Sequence, residues 1–156
     1  MTPARVVPAT VDDLPTILQL QLLAYQSEAR LLGNPDIPPL KQTLDDLRAE
    51  HGKGVVLKAV DGDVIVGSVR GRREGGTTYV SKLMVHLDSQ GHGIGSRLLE
   101  AIESALPAER FELFTSDQSL RNLELYERVG YRPVRTAEAA PGLRLVYMQR
   151  NAAPAA

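Results

Sequence analysis

The segment Gln90-Gly91-His92-Gly93-Ile94-Gly95 restricts what this chain can fold into more than any other stretch. It follows a strand-like run, Thr77 to Leu87, and leads into Ser96 to Leu106. Ile94, Leu98, Leu99, Ile102 and Leu106 recur there at helical spacing. The pattern is a strand, a tight turn and a helix start. Glycines at alternate positions remove the Cβ atoms that would stop the backbone folding tightly or lying against a ligand. The amides of a first helical turn have no partner inside the helix, and together with the positive end of the helix dipole they favour a phosphate group. The bland alternative is a simple left-handed turn between a strand and a helix.

Two familiar phosphate loops are excluded by spacing. A Walker-type loop needs a lysine and then Ser or Thr after its last glycine, and none follows Gly95. A dinucleotide fingerprint needs Gly-x-Gly-x-x-Gly. Counting from Gly91 the third glycine falls on Ser96, and counting from Gly93 it falls on Leu98.

A chain of 156 residues is long enough for one domain with a true core, expected over 1–150 with a flexible tail from Asn151 to Ala156 that carries nothing to bury. Hydrophobic residues at 43% and charged residues at 24% place it among ordinary globular chains. A net charge of -1 calls for neither nucleic acid nor an anionic membrane, although Arg70, Arg72 and Arg73 read as a local basic patch. With no cysteine, disulfides, thiolate metal sites and a covalent cysteine mechanism drop out, and a reducing cytoplasm fits. No apolar run is long enough to span a membrane, and the N-terminus lacks the pattern of a signal peptide. His51, His86 and His92 have no metal-ligand spacing, so no metal is expected.

Taken in order, Arg5 to Pro8 reads as a short strand. Asp12 and Asp13 stand at cap positions before a helix whose apolar face is Leu14, Ile17, Leu18, Leu22 and Tyr25. That helix fades near Gly33, and Pro35, Pro38 and Pro39 impose an extended loop. Thr43, with Asp46 three residues on, caps a second helix that ends at Gly52 and Gly54. Val55 to Val60, Val64 to Arg73 and Thr77 to Leu87 then form an antiparallel meander. After the glycine-rich helix come a strand at Phe111 to Thr115, a helix from Leu120 to Val129 stopped by Gly130, and a hairpin, Tyr131 to Thr136 with Leu143 to Gln149.

Gln90-x-x-Gly93-x-Gly95 after a strand ending in Leu83-x-Val85 closely resembles the cofactor motif of the GNAT superfamily of N-acetyltransferases. The element order β-α-α-β-β-β-α-β-α-β-β resembles the same fold over about Arg5 to Arg150. Leu125-Tyr126-Glu127-Arg128-Val129-Gly130-Tyr131 looks like that family's Leu-Tyr-x-x-x-Gly-Tyr segment. Tyr25-Gln26-Ser27-Glu28-Ala29 with Ile37-Pro38-Pro39-Leu40 also looks like one branch of these proteins, without naming a substrate. Many members carry arginine where Gln90 stands, proline where Leu87 stands, and asparagine seven residues before the tyrosine, where this chain has Ser119 and then Asn122 one turn later.

The resemblance implies an α+β fold, a mostly antiparallel central sheet with splayed fourth and fifth strands, and acetyl-CoA as co-substrate. Its pyrophosphate would lie on Gln90, Gly91, His92, Gly93, Ile94, Gly95 and Ser96. Main-chain groups of Leu83, Met84 and Val85 would meet the pantetheine and polarise the thioester, with Asn122 favoured over Ser119 for a side-chain contact. Tyr126 is the implied acid for the departing thiolate: a tyrosine stays protonated at neutral pH and has a proton to give. Glu28 stands where these folds form the acceptor pocket, and the base is open among Glu28, Glu74, Asp117, His86 and water. The implied activity is acetyl transfer to a primary amine by direct attack in a ternary complex. A non-catalytic acyl-CoA-binding module and a transferase of longer acyl groups are the alternatives. Small-molecule or peptide amines fit as acceptors, and family habit with an exposed edge strand in the last hairpin makes a homodimer the expected assembly.

Overall fold

The computed structural model describes residues 4–152. Its elements are β1 (Arg5–Pro8), α1 (Leu14–Leu32), α2 (Pro38–Lys41), α3 (Leu44–Lys53), β2 (Val55–Asp61), β3 (Val64–Glu74) and β4 (Thr77–Val85), then α4 (Ile94–Ala105), β5 (Arg110–Ser116), α5 (Leu120–Arg128), β6 (Arg132–Ala140) and β7 (Leu143–Asn151). One seven-stranded sheet runs in the order β1-β2-β3-β4-β5-β7-β6. β1 to β4 pair antiparallel, as do β5, β7 and β6, and the two halves meet where β4 and β5 run parallel.

Small residues on β3 bring α4 close to the sheet. A Cβ on Gly71 would lie 2.9 Å from Ile102 and 3.0 Å from Leu106, closer than real packing permits. The main core forms against that face, with Leu57, Val69, Val80, Leu98, Leu99, Ile102, Phe111, Tyr126 and Met148 buried together. α1 and α3 cover the other face around Leu14, Ile17, Leu47 and Val56. Burying a side chain of this size is worth about 1.5–3 kcal/mol, so the two clusters fix the helices on opposite faces.

Several boundaries differ from those expected. The start of α1 is secured one turn earlier, by Thr10: its backbone amide donates to Asp13 Oδ2 at 2.8 Å, while Asp12 caps nothing. Pro38 and Pro39 open the short helix α2 instead of an extended loop, because the first amides of a helix need no partner there. β4 stops at Val85, since the next residues turn and His86 Nδ1 accepts from the Asp88 amide at 3.1 Å. α4 begins at Ile94, two residues early, behind Gly93 in a left-handed conformation. β6 runs on to Ala140, and β7 runs through Asn151, which pairs with Arg110. Ala152 donates to the Glu109 carbonyl at 2.9 Å, so the C-terminal segment is held at its start, and residues 153–156 lie outside the described residues.

The basic patch expected on β3 is split. Arg70 is 3% exposed and points under α1 and α3, where it donates to Glu50 Oε2 at 2.7 Å, to Gln42 Oε1 at 2.8 Å and to Gln21. Arg72 shares the strand face of Arg70 by alternation, but Arg72 and Arg73 stand on the exposed end of β3 and only Arg70 is enclosed.

Candidate active site

The two halves of the sheet separate quickly. β4 and β5 pair only at Thr77–Tyr79 against Arg110–Glu112, so from Val80 onward the edge of β4 facing β5 has no strand partner. A bulge sharpens the divergence. Ser68 pairs with Met84 and Arg70 with Ser81, leaving Lys82 and Leu83 opposite Val69, and Lys82 takes φ +53°, a conformation uncommon for any residue but glycine. The splay opens two cavities, one at each side of Leu83 and Asn122, the residues common to both.

The first cavity, of about 440 Å³, lies over the glycine-rich turn. It brings together Leu83, Met84, Val85, Gln90, Gly91, Gly93, Ile94, Gly95, Ser96 and Asn122. His92 is exposed and stands outside this lining. Gly91 and Gly93 have φ of +84° and +78°, and the space where a Cβ would stand is empty at both. No side chain caps the start of α4, and its first turn carries no acid, so those amides face the groove unpaired. Gly95 serves packing instead: a Cβ there would meet Leu125 of α5 at 3.2 Å. Gln90 donates to the Val85 carbonyl at 3.3 Å and accepts from Arg121, which binds the loop to both β4 and α5.

Arg121 and Arg128 also line this groove, and neither is among the cofactor residues expected from the sequence. Their signal was present: with Leu120 as the first residue of α5, positions 121 and 128 lie two turns apart on one helix face. The groove thus combines free helix amides, open glycine backbone and two guanidinium groups against the one carboxylate of its lining, Glu124, a donor set suited to a polyanion such as a pyrophosphate.

The second cavity, of about 240 Å³, lies between α1, α2, the bulged part of β4, β5 and α5. Tyr25, Glu28, Lys82, Asn122 and Tyr126 are its main polar residues, set in a lining of Leu32, Ile37, Pro39, Leu113, Phe114 and Leu145. Tyr126 is 5% exposed, with its ring 6.2 Å from that of Tyr131. Among the described residues its hydroxyl has no hydrogen-bond partner, and Arg70 Nε is the sealed, unpaired side-chain atom, so the Tyr126 hydroxyl opens on the cavity. Burial, with Tyr25 and Glu28 nearby, pushes the Tyr126 hydroxyl well above the ordinary tyrosine range, so it keeps its proton. Tyr25 is pushed up to about 12, mainly by burial and against the pull of Arg70.

Ser119 is turned toward Glu28, to which its hydroxyl donates, while Asn122 reaches Thr115 Oγ1 at 3.3 Å and faces both cavities. Of the four candidate bases only Glu28 lines the second cavity. Glu74 pairs with Arg72 at 2.5 Å at the exposed end of β3, His86 lies in the turn after β4, and Asp117 is exposed in the loop after β5. Among the described residues no group of three or more His, Asp or Glu side chains stands at metal-binding distance, and no helix is long and apolar enough to cross a membrane.

Comparison with known proteins agrees with the fold. The chain is 28% identical over 130 residues, 83% of its length, to UPF0157 protein YqkA of Bacillus subtilis (strain 168), and spans 37% of the length of that relative. The fold matches that of the PaiA N-acetyltransferase of Thermoplasma acidophilum in complex with coenzyme A, with a TM-score of 0.79, 13% identity, and coverage of 97% of this chain and 100% of that one. It also matches the ribosomal-protein-S18-alanine N-acetyltransferase of Escherichia coli, with a TM-score of 0.80, 14% identity, and coverage of 98% and 96%. Residues 39–152 match the family model described as an acetyltransferase (GNAT) domain, and the chain belongs to that family.

Proposed function

We propose that this protein transfers the acetyl group of acetyl-CoA to a primary amine held in the second cavity, by direct attack while both substrates are bound. The observation that carries the reading is the junction of the two cavities at Leu83 and Asn122, which lets a polyanionic cofactor in one groove present its acyl end to an amine in the other. The coenzyme A in the Thermoplasma acidophilum structure of the same fold supports the choice of cofactor.

Each residue then has a task. Amides of Gly91 to Ser96, with Gln90, Arg121 and Arg128 beside them, hold phosphate oxygens. The unpaired edge of β4 at Leu83, Met84 and Val85 offers main-chain groups to the pantetheine, and preoriented amides there stabilise charge on the thioester oxygen. Asn122 stands where the arm passes between the cavities. In the transfer the amine nitrogen forms a bond to the thioester carbon, the carbon–sulfur bond breaks, Tyr126 gives its proton to the sulfur, and the amine proton leaves to Glu28 or water. Ser119 occupies Oε1 of Glu28 and leaves Oε2 for the acceptor.

A homodimer in the cytoplasm is the setting we infer. β6 lies at the open edge of the sheet with nearly every residue exposed, and the chain has no cysteine to protect. The test of the cofactor is mass action: CoA should raise the melting temperature progressively, because it binds only the folded chain, while ATP and NAD should act much more weakly. An equal response to ATP would contradict the cofactor assignment.

A further inference from the structure

Lys82 is the cationic side chain in the lining of the second cavity, and acetyl transfer leaves it without a task. It sits at the crest of the β4 bulge with φ +53°, half-buried, and lines the cavity together with Glu28 and Tyr126. It forms no salt bridge or hydrogen bond with the described residues. The anion that acts on it, Glu50, is already paired with Arg70 at 2.7 Å, and Arg70 opposes it. Burial accordingly holds the Lys82 amine below the ordinary lysine range. A cation in an apolar cavity without a counter-ion is costly, and a ligand anion removes that cost.

Glu28, in the same lining, presents the opposite charge, with one carboxylate oxygen left free by Ser119. Leu32, Ile37, Pro39, Phe114 and Leu145 supply apolar surface to the same lining, with Tyr25, Ser81, Thr115 and Ser116 as neutral polar groups. A pocket with one acid, one unpaired base and a mostly apolar lining complements a molecule with an ammonium group, a carboxylate and an apolar body. We propose that Lys82 makes the acceptor site selective for small apolar amino carboxylates, its ammonium binding the carboxylate while Glu28 receives the amine. The proposal rests on the acetyl-transfer reading and narrows it, since a plain polyamine or an internal protein lysine has no carboxylate to place at Lys82. The strained backbone of the bulge has a purpose in this account: it turns a β4 side chain that would otherwise follow the pleat into the cavity.

The experiment measures kcat/KM by release of CoA thiol for matched acceptors: leucine with 3-methylbutylamine, phenylalanine with 2-phenylethylamine, and 5-aminopentanoate with pentylamine. Wild-type protein should prefer at least one amino carboxylate over its matched amine by about tenfold or more. Lys82→Gln should bring that ratio close to one, and Lys82→Arg, which keeps the charge on the same backbone, should restore much of it. The CoA-induced rise in melting temperature, measured for each variant, establishes that the fold and the cofactor groove are intact. Equal use of both members of every pair by the wild type would overturn the proposal while leaving acetyl transfer standing. So would Lys82→Gln variants with normal CoA response that lose both activities alike. If CoA binds and none of the amines releases thiol, the acetyl-transfer reading itself fails and the proposal with it.

Discussion

Ser119, at the start of α5, donates its hydroxyl hydrogen to the carboxylate of Glu28 on α1, a bond between residues 91 positions apart that holds one oxygen of an acid in the lining of the second cavity. Ser119 is 5% exposed, so little water competes for the bond. Ser119→Ala should free Glu28 to rotate and leave its acidic head less well placed. The expected result is a rise in KM for the amine of roughly three- to tenfold, with CoA affinity nearly unchanged, because a hydrogen bond of this kind is worth about 0.5–1.5 kcal/mol net. Steady-state kinetics with the amine varied at saturating acetyl-CoA checks it.

The glycine-rich turn gives a charge-specific prediction. Gly93 has φ +78° with open space at the Cβ position, and Asn and Asp are the residues that tolerate such a conformation best. Gly93→Asn and Gly93→Asp should therefore fold comparably. Only the aspartate places a negative charge where phosphate must approach, so calorimetric titration should give a CoA dissociation constant at least about tenfold weaker for Gly93→Asp than for Gly93→Asn.

Tyr126 separates chemistry from packing. Its hydroxyl has no partner among the described residues, so Tyr126→Phe should shift the melting temperature little and leave CoA binding intact. Turnover should fall by roughly 10²-fold, since the departing thiolate must then take its proton from water. Because the hydroxyl is held above its ordinary range, wild-type rate should show no alkaline decline from Tyr126 up to about pH 10. A decline set by that residue below this pH would contradict the assignment.

A stability prediction comes from Asp13. Hydrogen bonding to Lys58, 2.8 Å away, and to Thr10 holds its carboxyl below the usual aspartate value, against a smaller opposing effect of burial. A folded-state pKa below the unfolded one adds stability at neutral pH, and that stability is lost as pH falls through the acid range. Asp13→Asn should cost about 1 kcal/mol at pH 7 and progressively less below pH 4, as read by urea unfolding at each pH.

Much of this architecture is legible in the sequence where the determinant is local. The periodicity from Ile94 to Leu106 fixes α4, the Thr43 and Asp46 pair fixes the start of α3 with the amide of Asp46 donating to Thr43 at 3.1 Å, and the glycine spacing marks the groove. What the sequence conceals depends on distant partners. Arg70 reads as one of three surface arginines, yet Glu50, Gln42 and Gln21 arrive from other elements to satisfy it inside. Lys82 carries no local mark of a bulge, because the bulge is a mismatch between β3 and β4 and belongs to neither strand alone. Ser119 and Asn122 both stood near the place expected for a cofactor contact, and a distant partner distinguishes them: Ser119 bonds to Glu28 of α1, while Asn122 is left facing both cavities.

The central claim is that the two cavities exchange an acetyl group, and the most direct measurement follows that group. Acetyl-CoA labelled in the acetyl carbon is incubated with the protein and the amine panel, and free thiol and labelled amide are counted together. The account predicts amide and thiol in equal amounts for at least one amine, with both falling in parallel in Tyr126→Phe. Saturable binding of acetyl-CoA with no labelled amide for any amine would contradict it and would make this chain an acyl-CoA-binding module without transferase activity.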